Sequence, residues 1–191
     1  MKVNGKKINA DFAEGEYLRI QREWENGDCI EADFPMEISY RTWQVNKNSV
    51  SVDYGPLTLS LKNRRKICKK RIVTETAIWD SQWQERSGCG KMASYEIYPE
   101  TPWNYALQIN SGVMLKEHRK LEPKVNPFTS ENVPLIFQAK GRIVPDWSVD
   151  EYKLCGVLPD EWSARSEQVD DIELVPMGAM RLRISAFPTC N

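Results

Sequence analysis

Hydrophobic and polar residues alternate with a two-residue period near the start of the chain, and this pattern predicts β-strands. Asn4-Gly5 is a dipeptide that accepts the positive φ angles of a type I′ turn, so it predicts a first hairpin. The alternation over 17–24 and 30–36 predicts two arms of a second hairpin, joined by the turn Asn26-Gly27-Asp28. One face of this hairpin is expected to point inward.

The same period returns later in the chain. It predicts strands over 50–54 and 57–61, with a bend or bulge at Gly55-Pro56 between them. Four further segments share the extended pattern: 103–109, 135–140, 172–176 and 180–184. Short strands with turn signals, and no long 3.6-residue period, predict an all-β fold, a β-sandwich with jelly-roll or Greek-key connections.

The two-residue period is lost between residues 62 and 102. Charged residues crowd Lys62–Arg71, and Ser87–Lys91 has the composition of a loop. We therefore expect an irregular insertion over 62–102 within a single β-sandwich domain that covers residues 1–191.

Composition excludes several classes of protein. Of the 191 residues, 41% are hydrophobic and 28% are charged, a balance typical of a folded globular protein. The net charge of −1 provides no overall field to attract nucleic acid or an anionic membrane. No run approaches the about 18 apolar residues of a spanning helix, and the first residues do not resemble a secretory signal. The cellular location stays open, because an export signal could precede these residues.

The five cysteines are Cys29, Cys68, Cys89, Cys155 and Cys190. They include no C-x-x-C pair, the spacing with which one loop presents two thiolates to zinc. Their odd number also argues against a complete set of disulfides. We expect buried or idle thiols, no metal site and no cofactor.

Glu96 and Glu100, beside Tyr95, Tyr98 and Trp103, form the most suggestive group for carbohydrate chemistry. Carboxylates among aromatic rings can hold a sugar, and a glycosidase needs two carboxyl groups about 5–9.5 Å apart. The alternative is a solvated surface, since a chain with 27 acidic residues places some of them near aromatic rings by chance.

Exposed tryptophans can bind sugars by stacking on the apolar face of a pyranose. Trp24 and Trp103 lie in extended segments and are expected in the core. The tryptophans of irregular segments are expected at the surface, and they are Trp79, Trp83, Trp147 and Trp162. Trp79, Trp83 and Trp147 are accordingly candidate carbohydrate-binding residues, together with the two glutamates. Packing in the core or at an interface is the alternative for each of them.

His118, the only histidine, lies in the charged stretch 116–120. A catalytic triad would have to use it, but the chain has no nucleophile motif such as G-x-S-x-G. A surface position without a catalytic role is the preferred interpretation.

The basic stretch Lys62–Arg71 contains seven cations in ten residues. Such density could bind phosphates, and Trp79 and Trp83 could stack on bases. No sequence signature of a nucleic-acid-binding fold accompanies it, so nucleic acid is not an expected partner. A solvated face, or a surface that docks against an acidic partner domain, is the favoured interpretation.

Several segments together resemble a known family. Gly15–Met36 (GEYLRIQREWENGDCIEADFPM), Ser49–Leu61 (SVSVDYGPLTLSL) and Tyr98–Leu107 (YPETPWNYAL) are followed by Ala139–Trp147 (AKGRIVPDW) and Glu173–Pro188 (ELVPMGAMRLRISAFP). In this order they resemble the C-terminal β-sandwich of the β-L-arabinofuranosidase-like glycoside hydrolases, family 127 and its relatives.

The resemblance implies a function without catalysis in this chain. In that family an N-terminal (α/α)6 barrel with zinc-bound cysteines and an acidic residue cleaves the glycosidic bond, and no residue here matches that site. The expected role is an accessory domain that supports such a barrel, with a second copy and a carbohydrate as further partners and no membrane partner. An apolar docking face would make the isolated chain self-associate. Two alternatives stay open: an independent carbohydrate-binding module, and an enzyme of unknown type that uses Glu96 or Glu100.

Overall fold

The computed structural model describes residues 1–8, 15–70, 94–122, 124–151, 154–158 and 165–190. These residues form strands and three 3-10 helices but no α-helix, which confirms the predicted all-β class. No helix among them is long and apolar enough to cross a membrane. The chain divides into two compact units, Met1–Met36 and Glu37–Asn191. The single accessory domain over 1–191 stays a prediction.

The first unit contains a small antiparallel sheet of β1 (Lys2–Val3), β2 (Lys6–Lys7) and β3 (Ile30–Glu31), with β1 in the middle. The turn between β1 and β2 has φ angles of 49° at Asn4 and 73° at Gly5, both positive as a type I′ turn requires. The first predicted hairpin is confirmed.

The second predicted hairpin of this unit is wrong, because residues 17–24 form no strand and only β3 forms within 30–36. The physical reason is the turn, where the Asp28 carboxylate accepts hydrogen bonds from the Asn4 amide at 2.6 Å and the Glu25 backbone N–H at 3.0 Å. The first bond ties this turn to the turn between β1 and β2, and the second closes the turn on itself, so neither pairs the two arms. Trp24 is 48% exposed, so its predicted core position is also wrong.

The second unit begins with three antiparallel strands, β4 (Ile38–Trp43), β5 (Ser49–Tyr54) and β6 (Leu57–Leu61). The predicted strands over 50–54 and 57–61 are confirmed. Gly55 has a φ of 55°, and Tyr54 pairs with Leu57, so Gly55-Pro56 is a two-residue hairpin turn and not a bulge.

A two-stranded arm lies within the predicted irregular insertion. It consists of β7 (Arg65–Lys70) and β8 (Ser94–Pro99), which pair in register from Arg65 with Pro99 to Lys70 with Ser94. The described ends of the insertion are therefore regular, and this part of the prediction is wrong. The charged side chains of β7 hide the strand, because they interrupt the apolar alternation on which the prediction rests.

An eight-stranded sheet makes up most of the second unit. Its further strands are β9 (Tyr105–Gln108), β10 (Met114–His118), β11 (Leu135–Ile143), β12 (Asp170–Pro176) and β13 (Thr189–Cys190). The order is β13-β9-β11-β12-β6-β5-β4, and β10 also pairs with β11. The 3-10 helices are Gln44–Asn46, Ile109–Ser111 and Met177–Ala179. The fold is sandwich-like, as predicted.

The strand predicted over 180–184 is not formed, although this segment still serves the sheet. The Ile184 carbonyl accepts hydrogen bonds from the Leu61 N–H at 2.8 Å and the Ser60 hydroxyl at 3.0 Å. These two contacts do not make a ladder, but they fix the segment beside β6.

The core of the second unit is built from alternate residues of the central strands. The largest cluster includes fully buried Leu59, Leu107, Phe137 and Leu174. Burying each such side chain stabilises the fold by roughly 1.5–3 kcal/mol. A second cluster contains Trp147, whose exposed fraction is 3%, so its predicted surface position is wrong.

Candidate functional site: two cavities that share Asn63

Asn63 lies between β6 and β7, where the chain leaves the eight-stranded sheet for the two-stranded arm. The backbone is held on both sides of it. The Lys62 N–H donates to the Glu173 carbonyl at 2.8 Å, and the Arg64 N–H donates to the Thr101 hydroxyl at 3.0 Å. These contacts fix the position of the Asn63 side chain.

The Asn63 side chain is a buried amide that finds no partner in the described part of the chain. Its exposed fraction is 5%, and neither Nδ2 nor Oδ1 has a hydrogen-bond partner among the residues that the structure describes. An amide offers two donor hydrogens and two acceptor lone pairs, and leaving such a buried group unpaired costs about 1–3 kcal/mol. Buried polar groups are paired in most native structures, so this exception requires a cause.

Asn63 lines two cavities. We call the first the polar cavity; it has a volume of about 730 Å³ and contains Lys62, Arg64, Arg65, Glu100, Glu131, Asp171 and Glu173 in its lining. We call the second the aromatic cavity; it has a volume of about 810 Å³ and contains Glu96, Tyr98, Trp103, Arg181 and Arg183 in its lining. Both lie in the second unit.

The polar cavity has a lysine pair around Glu173. Lys62 Nζ donates to Glu173 Oε2 at 2.8 Å, and Lys116 Nζ donates to Oε1 at 2.6 Å. The hydrogen bond from Lys116, and then the one from Lys62, hold the pKa of the Glu173 carboxyl below its usual range. Glu173 is thus a charged group whose hydrogen bonds are already made within the protein.

Two further charged groups of the polar cavity, Asp171 and Arg65, also have partners within the protein. Lys140 donates to Asp171 at 3.0 Å and lowers the pKa of that carboxyl. Arg65 donates to the Ser130 hydroxyl at 3.1 Å, although no described group bonds to its buried Nε.

Tyr105 also lines the polar cavity. Its hydroxyl donates to Asp170 Oδ2 at 3.1 Å. Burial, together with the charge of Asp170 and this hydrogen bond, raises the pKa of Tyr105 to about 12. The tyrosine therefore acts as a neutral donor at any physiological pH.

The wall of the aromatic cavity is built from β8 and the segment that follows it. The Tyr98 hydroxyl donates a short hydrogen bond to the Glu96 carboxylate, because residues two apart on a strand share one face. The half-buried Trp103 ring meets the Trp147 ring edge to face, with centroids 5.1 Å apart. Trp147 in turn donates from Nε1 to the Gly156 carbonyl at 3.1 Å, so a fixed indole supports Trp103.

Arg181 and Arg183 supply the positive charge of the aromatic cavity. Both are exposed, and Arg183 Nε donates to the Met180 carbonyl at 2.9 Å. No described carboxylate forms an ion pair with either guanidinium. This distinguishes them from the lysines and from Arg65 in the polar cavity.

The structure brings together only some of the predicted site residues. Glu96, Tyr98 and Trp103 share the aromatic cavity, whereas Glu100 lines the polar cavity. Trp147 lies behind Trp103 in the core and has no exposed ring face. Trp79, Trp83 and Trp162 lie outside the described residues.

Sequence reasoning missed Asn63 and Arg181. The arginines at 181 and 183 alternate with apolar residues, and this pattern could have placed both on one exposed face. A single asparagine at the end of an apolar strand carries no comparable signal, because its unpaired state depends on residues distant in the sequence.

The remaining candidate residues are the histidine and the cysteines, which differ in their exposure to solvent. His118 is exposed on β10, which confirms its predicted surface position, while the absence of a catalytic role stays a prediction. Cys29 and Cys155 are exposed and Cys190 is buried. Among the described residues, no group of three metal-ligating side chains is placed to hold an ion. The absence of a metal and of a cofactor stays a prediction.

Comparison with known proteins relates the start of the chain to one family. Residues 1–36 match the family model described as beta-L-arabinofuranosidase, GH127 middle domain. The relation to glycoside hydrolase family 127 is thereby supported for these residues, but the matching segment is the middle domain and not the C-terminal sandwich. The matched range coincides with the first compact unit. No curated protein and no solved structure matches this chain.

Proposed function

We propose that this chain is a non-catalytic part of a family 127-related glycoside hydrolase and that it supports a catalytic (α/α)6 barrel. The observation that carries the proposal is the match of residues 1–36 to the middle domain of β-L-arabinofuranosidases, over the same range as the first compact unit. The resemblance of Ser49–Leu61 and Tyr98–Leu107 to the C-terminal sandwich supports the same role for the second unit.

The surface of the first unit supports a docking role. Tyr17 is 92% exposed and Phe34 is 71% exposed, while Val3 is the only buried residue among those described in this unit. A group of exposed apolar side chains is typical of an interaction surface. The partner that we propose for it is the helical barrel of a family 127 hydrolase, whose contact would bury these rings.

The positions of the carboxylates support a role without catalysis. Glu96 and Glu100 line different cavities, whereas a glycosidase places two carboxyl groups on either side of one bond. Glu96 also accepts a hydrogen bond from Tyr98. This arrangement favours an accessory role over an enzyme that uses the two glutamates as a pair.

The test measures activity and association together. The purified chain is incubated with p-nitrophenyl β-L-arabinofuranoside, and separately with the purified catalytic barrel of a β-L-arabinofuranosidase. We expect no turnover by the chain alone, concentration-dependent self-association in sedimentation velocity, and a complex with the barrel. Turnover by the chain alone would contradict the non-catalytic role, and the absence of a complex would contradict the supporting role.

A matched pair of variants locates the docking surface. The double substitution Tyr17→Ser and Phe34→Ser should weaken the complex at least about tenfold, since two large rings then lose their apolar contact. Val45→Ser is the control, because Val45 is 99% exposed in the second unit and should not affect the complex. Equal weakening by both variants would show that the first unit is not the contact.

A further inference from the structure

We propose that the aromatic cavity binds a short saccharide that contains an acidic sugar residue, and that Asn63, Trp103 and Arg181 recognise it. This binding site is independent of the docking role proposed above. Three groups meet in this cavity: the Asn63 amide and the Arg181 guanidinium, which have no partner among the described side chains, and the supported ring of Trp103.

The Asn63 amide selects for a ligand that both donates and accepts. Its Nδ2 and Oδ1 are buried, and no described residue bonds to them, so a ligand that satisfies both recovers the cost of leaving them unpaired. Two neighbouring sugar hydroxyls do this, because one accepts from Nδ2 while the other donates to Oδ1. An apolar ligand would leave the cost in place, and a simple anion could satisfy only the donor.

The ring of Trp103 provides the apolar side of the same site. The C–H face of a pyranose packs against an indole, and such contact requires a ring held in one orientation. Trp147 holds it by the edge-to-face contact, and Trp147 is itself fixed by the bond to Gly156. The hydroxyl of Tyr98 and the carboxylate of Glu96 lie in the same lining.

The charge of the lining indicates an acidic sugar rather than a neutral one. The charged residues among the described lining of the aromatic cavity are two arginines and one glutamate, a formal balance of +1. A guanidinium binds a carboxylate through two parallel hydrogen bonds, and Arg181 has no described acidic partner. The volume of about 810 Å³ lies within the range of about 300–1,000 Å³ for small-ligand sites.

The polar cavity does not offer an equivalent site. Glu173, Asp171 and Glu131 of its lining form ion pairs with lysines or with Arg65, so a ligand would have to break those pairs before it could bind there. Arg64 and Glu100 form no described ion pair, but the described lining offers no tryptophan beside them. The proposal is therefore confined to the aromatic cavity.

The first measurement compares two probes by isothermal titration calorimetry, the trimer of galacturonic acid and the trimer of galactose with the same linkage. We expect the acidic trimer to bind at least about tenfold more tightly, and its affinity to fall with added salt because exposed guanidinium charges are screened. Equal affinity for the two trimers would overturn the acidic class. No binding of either trimer at about 10 mM would overturn the site itself, since that concentration detects even weak binding.

The second measurement separates binding from folding. Asn63→Leu should weaken binding of the acidic trimer at least about tenfold. It should leave the thermal midpoint of unfolding unchanged or higher, because it replaces a buried amide that has no described partner with an apolar side chain of similar size. Binding that survives this substitution would overturn the role of Asn63.

Arg181→Met tests the charge. It should reduce the affinity for the acidic trimer to that for the neutral trimer, with the thermal midpoint unchanged. Arg64→Met is the matched control, because Arg64 is also exposed and lines only the polar cavity. Equal loss from the two arginine variants would indicate general charge attraction and would overturn the assignment of this cavity.

Discussion

The two cavities that share Asn63 differ in how their charges are used. In the polar cavity, Glu173 bonds to two lysines and Asp171 bonds to a third, so most of the charge is satisfied within the protein. In the aromatic cavity, Arg181 and Arg183 have no described acidic partner. The comparison teaches that the number of charged residues does not identify a binding site; unpaired groups beside a supported ring are the better indication.

We expect the largest loss of stability when Trp147 is removed, because this indole packs against Trp103 in the wall of the aromatic cavity. Trp147→Ala removes an indole that is 3% exposed, and it should lower the free energy of unfolding by about 3–5 kcal/mol. Urea unfolding followed by far-ultraviolet circular dichroism measures it. Trp43→Ala is the control, since Trp43 is 39% exposed and should cost much less. If the two variants lost equal stability, Trp147 would not be a core residue.

We expect a smaller loss of stability when the ion pairs of Glu173 in the polar cavity are weakened. Glu173→Gln weakens the bonds to Lys62 and Lys116 and should cost about 1–2 kcal/mol at neutral pH, since the groups are partly exposed and solvent screens them. The pKa of Glu173 is lowered by folding, so its stabilising contribution is present above the unfolded pKa of about 4.3 and is lost as the pH falls through the folded value. The free energies of unfolding of the parent chain and of the Glu173→Gln variant should therefore converge at acidic pH. A difference that persists at low pH would contradict this explanation.

We expect the smallest loss of stability when the Tyr105 hydroxyl is removed. Tyr105→Phe removes the hydrogen bond to Asp170 and should cost about 1 kcal/mol. Because folding raises the pKa of Tyr105 to about 12, its contribution is present below the unfolded pKa of about 10 and is lost as the pH rises through the folded value. Absorbance at the phenolate band should show a component near pH 12 in the parent chain that is missing in the variant. An unchanged titration would show that Tyr105 is not the tyrosine that ionises near pH 12.

The predictability of the fold from sequence depends on where each strand finds its partner. Strands β5, β6, β11 and β12 are both apolar on alternate residues and paired along the sheet, so the pattern predicted them. The alternation over 17–24 is equally regular, yet no strand forms there. A two-residue period indicates which side chains face inward, but a strand also requires a neighbouring backbone, and that information is not local.

Only part of the candidate site could be predicted from the sequence, for a similar reason. Glu96 and Tyr98 share a face because they are two residues apart on β8, which sequence spacing can indicate. Asn63 and Arg181 reach the same cavity from segments separated by more than half the chain. The folded sheet brings them together, and the amide is distinctive because it has no partner among the described residues.

The sheet also has a consequence for how fast the protein folds. The Ser51 hydroxyl donates to the Ser185 carbonyl, 134 residues further along the chain, and Val50 pairs with Phe187 through its backbone at 2.8 and 2.9 Å. Such contacts require the closure of a long loop before they stabilise anything, and domains rich in them fold in milliseconds to seconds. The hairpin of β5 and β6 can form early, but its edge cannot be completed until the distant segment arrives.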